Sequence, residues 1–293
     1  MKMNLKNIAP FVLGGLLLTS CGGSGDDKIN GDQLDPASSL KTAFDGKIFS
    51  IPSPIQMALL LKETNAAFNQ DLLNSSKNIS KYTTEYKQAL NLGIYGADLG
   101  YASINDENSA SLNCLSVVES LTDKLGLSGI FDKTFMTRFE KNKTNKDSVL
   151  MIVSEAFRNG DDYLKNEKRK STSALILTGG WIESIYYACE LNKTSTNDKI
   201  ISRIGDQQQT ISTIIEILGE YNTKGENDKL IKQMKDLKVS FDLIKIDYVF
   251  VKPITDAKKK LTILQHTSKV TIDPKVLEAI STKVHAIRES IIN

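Results

Sequence analysis

Histidine and cysteine, which supply many metal ligands and catalytic nucleophiles, are scarce in this chain. Its 293 residues include two histidines, His266 and His285, and three cysteines. Neither histidine has a metal-ligating companion at helical or loop spacing. The sequence also lacks a phosphate-binding glycine loop, a Gly-x-Ser-x-Gly motif, a zinc-binding histidine helix and a nucleotide fingerprint. We therefore expect no metal, no cofactor and none of the familiar enzyme classes.

The chain also has no marked excess of one charge sign. It carries 37 basic and 35 acidic residues, a formal net charge of +2. Removing residues 1–20, which contain Lys2 and Lys6 but no acidic residue, would bring this charge to zero. The net charge therefore implies neither nucleic acid nor an acidic membrane surface as a partner.

One local basic cluster lies near the C-terminus. It consists of Lys252, residues 258–260 and Lys269, and Asp256 partly offsets it. The cluster is typical of a solvated face, and the alternative is a site for an anion or for lipopolysaccharide.

The first twenty residues have the anatomy of a secretory signal peptide. A short basic segment precedes an apolar run over residues 8–18, which is too short to remain as a membrane-spanning helix. The tetrapeptide that follows, Leu18-Thr19-Ser20-Cys21, resembles the lipobox of bacterial lipoproteins. The resemblance implies a lipid on Cys21, whose acyl chains would anchor the chain to a membrane. The alternative is an ordinary signal peptide in which Cys21 has no role.

The residues after Cys21 bear on location. Gly22, rather than aspartate, argues against retention in the inner membrane, so we expect the outer membrane. Residues 22–27 form a glycine-rich linker with an acidic pair, which resembles the signal that exports lipoproteins to the cell surface in Bacteroidota. A plain solvated linker would look the same, so we favour the cell-surface face and leave the periplasmic face open.

Composition and periodicity divide the chain into a signal peptide (1–20), a flexible acidic tether (21–47) and a helical domain (48–293). The domain is predicted to be an all-α, multi-helix antiparallel bundle. Its first helix starts at a capping box formed by Ser53 and Gln56 and runs to about Leu73. Further helical patterns span 80–104, 107–125, 134–142, 146–166, 169–193, 196–222 and 227–257.

The C-terminal part of the domain combines two kinds of pattern. Two β-branched runs, 261–264 and 270–272, predict either a short hairpin near 261–272 or an extended crossing. Asp273 and Pro274 then supply the cap and first turn of a final helix with one apolar stripe.

Residues 174–188 are apolar around nearly the whole helix and should be buried at the centre of the domain. Gly179 and Gly180 each cost about 1 kcal/mol against alanine there, so the fold must require them. The close approach of a second backbone is one such requirement. Gly93, Gly96 and Gly100 place small residues on successive turns of another helix, so we predict that these two helices cross closely.

The glycines also have a functional interpretation, in which they open a ligand pocket. Its predicted aromatic walls and polar groups are Tyr95, Tyr101, Trp181 and Tyr186, with Asp98 and Glu183. A weaker alternative is a hydrolase that uses Asp98 and Glu183 as acid and base, which requires both carboxyls to line one accessible cleft.

Cys114 and Cys189 lie inside predicted helices beside apolar residues. We predict two buried free thiols, although an export compartment would also permit a disulfide between them.

Several features together, namely the lipobox, the acidic tether and residues 49–54, 90–99 and 179–183, resemble uncharacterised helical lipoproteins of Bacteroidota. The resemblance implies export and anchoring but no activity, substrate or catalytic residue. We therefore predict a non-enzymatic binding or scaffold module on the outer membrane, with an envelope protein or another envelope component as its partner. The alternative is a small-ligand binding or sensor protein with a pocket near Gly179-Gly180-Trp181. A large exposed apolar patch would favour the first interpretation.

Overall fold

The computed structural model describes residues 40–44, 47–51, 54–64, 67–130, 132–143, 145–194, 196–256, 258, 261–263 and 267–293. Within these ranges the chain forms ten α-helices. They are α1 (Pro54–Glu63), α2 (Glu85–Ile104), α3 (Asn108–Lys124), α4 (Lys133–Asn142), α5 (Lys146–Asn166), α6 (Lys170–Thr194), α7 (Asp198–Gly205), α8 (Gln208–Glu220), α9 (Asp228–Phe241) and α10 (Pro274–Ile292). The fold is the predicted all-α, multi-helix bundle.

Short antiparallel strands complete the described part of the chain. They are β1 (Leu40–Phe44), β2 (Lys47–Ile51), β3 (Lys245–Val249), β4 (Ile254–Asp256), β5 (Leu261–Ile263) and β6 (Thr267–Thr271). β1 pairs with β2, β3 with β6 and β4 with β5. β1 lies within residues 21–47, which were predicted as a flexible tether. The predicted signal peptide, Cys21, residues 22–39 and Ser53 lie outside the described residues.

Helices α2 and α6 form the centre of the bundle. Every residue of α2 from Ala89 to Ile104 is buried, and so is every residue of α6 from Thr178 to Cys189. α1 and α3 pack against α2, and α10 packs against α6 and α9. Two helices that are buried on all sides need neighbours all round them, which explains why their sequences lack a polar face.

The two central helices meet backbone to backbone. A Cβ atom on Gly93 would lie 2.0 Å from the carbonyl oxygen of Ile176, and one on Gly179 would lie 1.9 Å from that of Leu90. At Gly96 a Cβ would instead lie 2.2 Å from the ring of Phe157 on α5. Gly100 and Gly180 are buried on the same two helices. The helices predicted to cross therefore do so, at a separation that only glycine permits.

Helix bounds agree best with the predictions where a cap defines them. α5 spans the predicted residues 146–166, and the side chain of Asn145 caps its N-terminus. Asp273 accepts a hydrogen bond from the backbone nitrogen of Lys275 at 2.9 Å and caps α10, as predicted.

Three helix predictions are wrong in extent. α1 ends at Glu63 rather than near Leu73, and residues 70–72 form a 3-10 turn that Asn69 caps. α2 begins at Glu85 because Thr84 caps it, and a 3-10 helix occupies Ser76–Lys81. The helix predicted over 196–222 is divided into α7 and α8.

The fourth error concerns residues 242–257, which were predicted as helix. α9 ends at Phe241, and β3 and β4 follow. The β-branched and aromatic residues of this stretch, among them Ile246, Tyr248 and Val249, favour a strand over a helix.

This change also alters the predicted hairpin. Both β-branched runs do form strands, but β5 and β6 pair with β4 and β3 rather than with each other. The result is two short antiparallel ribbons, and we call the described residues between 245 and 271 the β-arm. In its register Lys245 faces Thr271 and Ile254 faces Ile263.

Cys114 and Cys189 are free and buried, as predicted. Burial raises the pKa of the Cys189 thiol to about 12 and raises that of Cys114 further, so both remain protonated. None of the helices in the described ranges has the length and apolar character that crossing a bilayer requires.

We predict that Gly179→Ala destabilises the domain by about 1–3 kcal/mol or more, because the added methyl group meets a carbonyl oxygen that cannot rotate away. Gly219→Ala is the matched control. It also replaces a helical glycine, but its Cβ would meet no atom within 4 Å, so it should raise the stability by about 0.4–1 kcal/mol. Urea unfolding followed by circular dichroism measures both changes. Equal effects of the two substitutions would contradict the close crossing.

Candidate functional site

The predicted carboxyls Asp98 and Glu183 come together on the facing sides of α2 and α6, and Arg288 of α10 joins them. The Arg288 guanidinium forms a two-pronged ion pair with Glu183. Its Nε lies 2.6 Å from Oε2 and its Nη2 lies 2.8 Å from Oε1. Asp98 and Glu183 are 0% exposed and Arg288 is 4% exposed. The cluster therefore holds two acids and one base away from water.

Asp98 is tied to three neighbours. One carboxyl oxygen accepts a hydrogen bond from the backbone nitrogen of Asn74 at 3.0 Å, and the other accepts one from the hydroxyl group of Tyr187. Its third partner is Glu183. Burial and the negative charge of Glu183 raise the pKa of Asp98 well above its usual value, and the hydrogen bond to Glu183 acts in the same direction. These effects favour a proton on Asp98, which would leave one guanidinium to balance one carboxylate.

Arg288 also contacts groups beyond Glu183. Its Nη2 donates a hydrogen bond to the carbonyl oxygen of Leu72 at 2.8 Å, and its guanidinium lies 4.1 Å from the ring centroid of Tyr186. Burial alone would lower the pKa of Arg288, but the charge and hydrogen bonds of Glu183 outweigh it and raise this pKa. The side chain therefore stays charged and joins α10 to α6 and to the segment before α2.

The four other predicted pocket residues make separate contacts. Tyr186 lies under Arg288, and the ring of Tyr101 stacks on that of Tyr187 at 4.5 Å. The hydroxyl of Tyr95 donates a hydrogen bond to the carbonyl oxygen of Ser75 at 2.7 Å. Trp181 faces the junction of α7 and α8.

Trp181 accounts for the break between α7 and α8. Its indole nitrogen donates a hydrogen bond to the side-chain oxygen of Gln207 at 3.0 Å, and its ring packs 6.2 Å from that of Phe241. Gln207 is 1% exposed, so a polar side chain is drawn into the core at the point where the helix is interrupted. Trp181 therefore has a packing role at this junction.

The carboxyl pair does not line an open cleft. A groove of about 350 Å³ lies nearby, lined by ten residues that include Asn74, Tyr95 and Cys114 but neither Asp98 nor Glu183. Among the described residues, no group of three or more His, Cys, Asp or Glu side chains is placed to hold a metal ion. The arrangement can share a proton and neutralise a charge, but no substrate can reach it in this conformation.

Sequence reasoning missed Arg288, Tyr187 and Asn74. For Arg288 a signal was present, because it lies four residues after Val284 and three before Ile291, inside the apolar stripe of α10. An arginine on the buried face of a helix needs a buried carboxylate. For the backbone nitrogen of Asn74 the sequence contains no comparable signal.

The β-arm is a second candidate site, and it is exposed where the carboxyl cluster is buried. Among the described residues, eight of the twelve exposed large hydrophobic side chains lie on it. They are Ile246, Tyr248, Val249, Phe250, Val251, Ile254, Leu261 and Ile263. Phe250 is the most exposed, at 69%. Such a concentration of apolar surface is typical of an interaction site.

The register of the arm places apolar groups on both of its faces. Ile246 and Tyr248 share one face, and Val249 lies on the other. Val270 holds the base of the arm against α7, where a Cβ on Gly205 would lie 2.2 Å from it. Every residue of β3 and β5 is exposed, so the ribbon stands away from the helices beyond this base.

The ion pair generates a prediction about stability. Arg288→Met should cost about 3–5 kcal/mol, because it leaves a carboxylate buried without a positively charged partner. Combining it with Glu183→Gln removes the stranded charge, so the double variant should be more stable than Arg288→Met alone. A double-mutant cycle from urea unfolding measures this coupling, and simple additivity of the two single changes would refute it.

The raised pKa of Asp98 generates a prediction about pH. Above the ordinary value of 3.8, the unfolded chain releases this proton while the folded chain retains it. This contribution to the free energy of unfolding therefore falls as pH rises towards the folded pKa. Asp98→Asn removes the titration, so its stability relative to the original chain should increase as pH rises above about 4.

The slope of this difference matters rather than its absolute value, since the amide loses an acceptor for the Asn74 nitrogen at every pH. Asp71→Asn, at an exposed position, controls for the loss of a carboxyl group. A difference that does not change with pH would show that Asp98 is ionised in the folded chain.

No protein-family model, curated protein or solved structure matches this chain.

Proposed function

We propose that this chain is a non-enzymatic binding module of the bacterial envelope, held at the outer membrane by a lipid on Cys21. It binds another envelope component through the β-arm. The observation that carries the proposal is the cluster of exposed apolar side chains on the arm. Because exposed apolar area is costly in water, a partner that covers it would gain free energy.

The buried cluster supports a role without catalysis. Asp98 and Glu183 face each other and Arg288 rather than solvent. A glycosidase-type acid and base would need a cleft that admits the substrate and water between the two carboxyls. The charges of this cluster instead hold α2, α6 and α10 together.

The sequence of the N-terminus supports the anchor. Leu18-Thr19-Ser20-Cys21 follows an apolar run and precedes a glycine-rich linker. A lipid at this position would place the helical domain within reach of the membrane surface, because the eighteen residues between Cys21 and β1 would span tens of ångströms if extended. The lipid would then hold the domain at the membrane, and the arm would bind another component of the same envelope.

The test compares four chains in cells, combining two states of the anchor with two states of the arm. One state of the anchor is original, and the other has Cys21→Ala behind an ordinary cleaved signal. The altered arm carries Phe250→Ser and Val251→Ser. The lipidated chains should remain in the outer-membrane fraction through a high-salt wash, whatever the state of the arm.

The unlipidated chain should remain with the membranes at low salt only when the arm is intact. Leu112→Ser with Tyr163→Ser is the matched control, because these residues are each 44% exposed but lie on α3 and α5. If the unlipidated chain with an intact arm is soluble, the arm does not bind the envelope. If lipidation-deficient and original chains wash off alike, the anchor proposal is wrong.

A further inference from the structure

The β-arm combines its apolar side chains with a local excess of positive charge. Residues 245–271 contain six lysines and two aspartates, although the whole chain has a net charge of only +2. Four of these lysines, Lys245, Lys252, Lys258 and Lys269, are exposed at described positions. The charge of the arm therefore differs in character from that of the rest of the chain.

We propose that the β-arm binds the anionic headgroups of a lipid bilayer and inserts its apolar side chains at the boundary between headgroups and acyl chains. This inference rests on the proposed function, because it assumes that the arm is the binding surface. It names the occupant of that surface as a membrane rather than a protein.

The order of residues along the arm fits this occupant. Phe250 and Val251, which are 69% and 40% exposed, immediately precede Lys252. Lysine can extend its charged end towards a phosphate while its methylene groups lie along apolar surface. Aromatic side chains such as Tyr248 and Phe250 favour the same interfacial depth.

The two-sided distribution of apolar groups also favours a bilayer. A protein groove would cover one face of the ribbon, but Tyr248 and Val249 point to opposite faces and are 58% and 57% exposed. A lipid interface surrounds an inserted ribbon on both faces. The unpaired edges of a two-stranded ribbon limit the depth, because backbone groups need water or headgroups as partners.

The length of the arm makes the contact feasible. The twelve residues from Lys245 to Asp256 would span about 40 Å if fully extended. Val270 fixes the base of the ribbon on α7, so the exposed part can reach a surface without unfolding the bundle. β4 and β5 lie in this distal part, where Ile254 and Ile263 are paired and about half exposed.

The experiment uses the purified mature chain with Cys21→Ala, so that no lipid anchor contributes. Its binding to vesicles is measured by co-sedimentation. One set of vesicles contains phosphatidylethanolamine and phosphatidylglycerol in equal parts, and the other contains phosphatidylcholine alone. We expect at least about tenfold tighter binding to the anionic vesicles, weakening as salt is added.

Substitutions on the arm separate the two contributions. Phe250→Ser with Val251→Ser should weaken binding about tenfold or more. Lys252→Gln with Lys258→Gln should weaken it by a similar factor and reduce its dependence on salt. Two matched controls change exposed positions outside the arm and should have no effect. One is Leu112→Ser with Tyr163→Ser, and the other is Lys124→Gln with Lys141→Gln.

A fluorescent reporter locates the contact. The single tryptophan, Trp181, is 2% exposed, so Phe250→Trp adds the only solvent-accessible indole among the described residues. Its emission should shift to the blue with anionic vesicles and remain unchanged with phosphatidylcholine. An unchanged spectrum in the presence of bound vesicles would overturn the insertion of the arm.

Other occupants give different results. A protein partner would give binding to isolated outer membranes that disappears when membrane proteins are digested, and no binding to protein-free vesicles. This result would overturn the inference and leave the proposed function standing. Concentration-dependent dimerisation abolished by the Phe250 and Val251 substitutions would identify a second copy as the occupant and overturn it as well. If the chain binds neither membranes nor vesicles and stays monomeric, both the inference and the proposed function fail.

Discussion

Because a Cβ atom on Gly93 or Gly179 would run into the opposing backbone, α2 and α6 meet at a distance that only glycine allows. This contact fixes the positions of the buried charged residues. It brings Asp98 and Glu183 from the two helices into one buried space, and a buried pair of acids then requires a base. Arg288 supplies that base from α10, so the position of the C-terminal helix follows from the crossing of the two central ones.

The balance of charge in this cluster explains why it is stable without water. Two carboxylates and one guanidinium would leave a net negative charge in the core, which is costly in a medium of low polarity. Retaining a proton on Asp98 removes that excess, and Tyr187 and the Asn74 nitrogen satisfy its oxygens. The same features that are found at acid and base catalysts, namely burial and coupled carboxyls, therefore serve here to specify the packing of three helices.

The sequence predicts the parts of this fold that local chemistry determines. Caps such as Asn145 and Asp273 define the start of a helix, and two glycines in an apolar helix indicate a close crossing. It does not predict interactions between distant segments. Gln207 interrupts a helix because Trp181 needs a hydrogen-bond acceptor, and residues 245–249 form a strand because β6 lies beside them. In both cases the interacting residues are far apart in the sequence. The helical periodicity of the sequence gives no sign of either break, so each region was predicted as one long helix.

The core and the β-arm use apolar residues in opposite ways, and this contrast bears on function. In the core, Trp181, Tyr101 and Tyr187 are enclosed, and the charges of Glu183 and Arg288 are paired with each other. On the arm, apolar side chains are exposed beside lysines, and the docking of Val270 on Gly205 sets only the base. A ribbon that merely linked α9 to α10 could be short and polar, since those two helices already pack together. The length and apolar character of the arm therefore exceed what the connection requires, and the excess provides apolar surface that another molecule could cover.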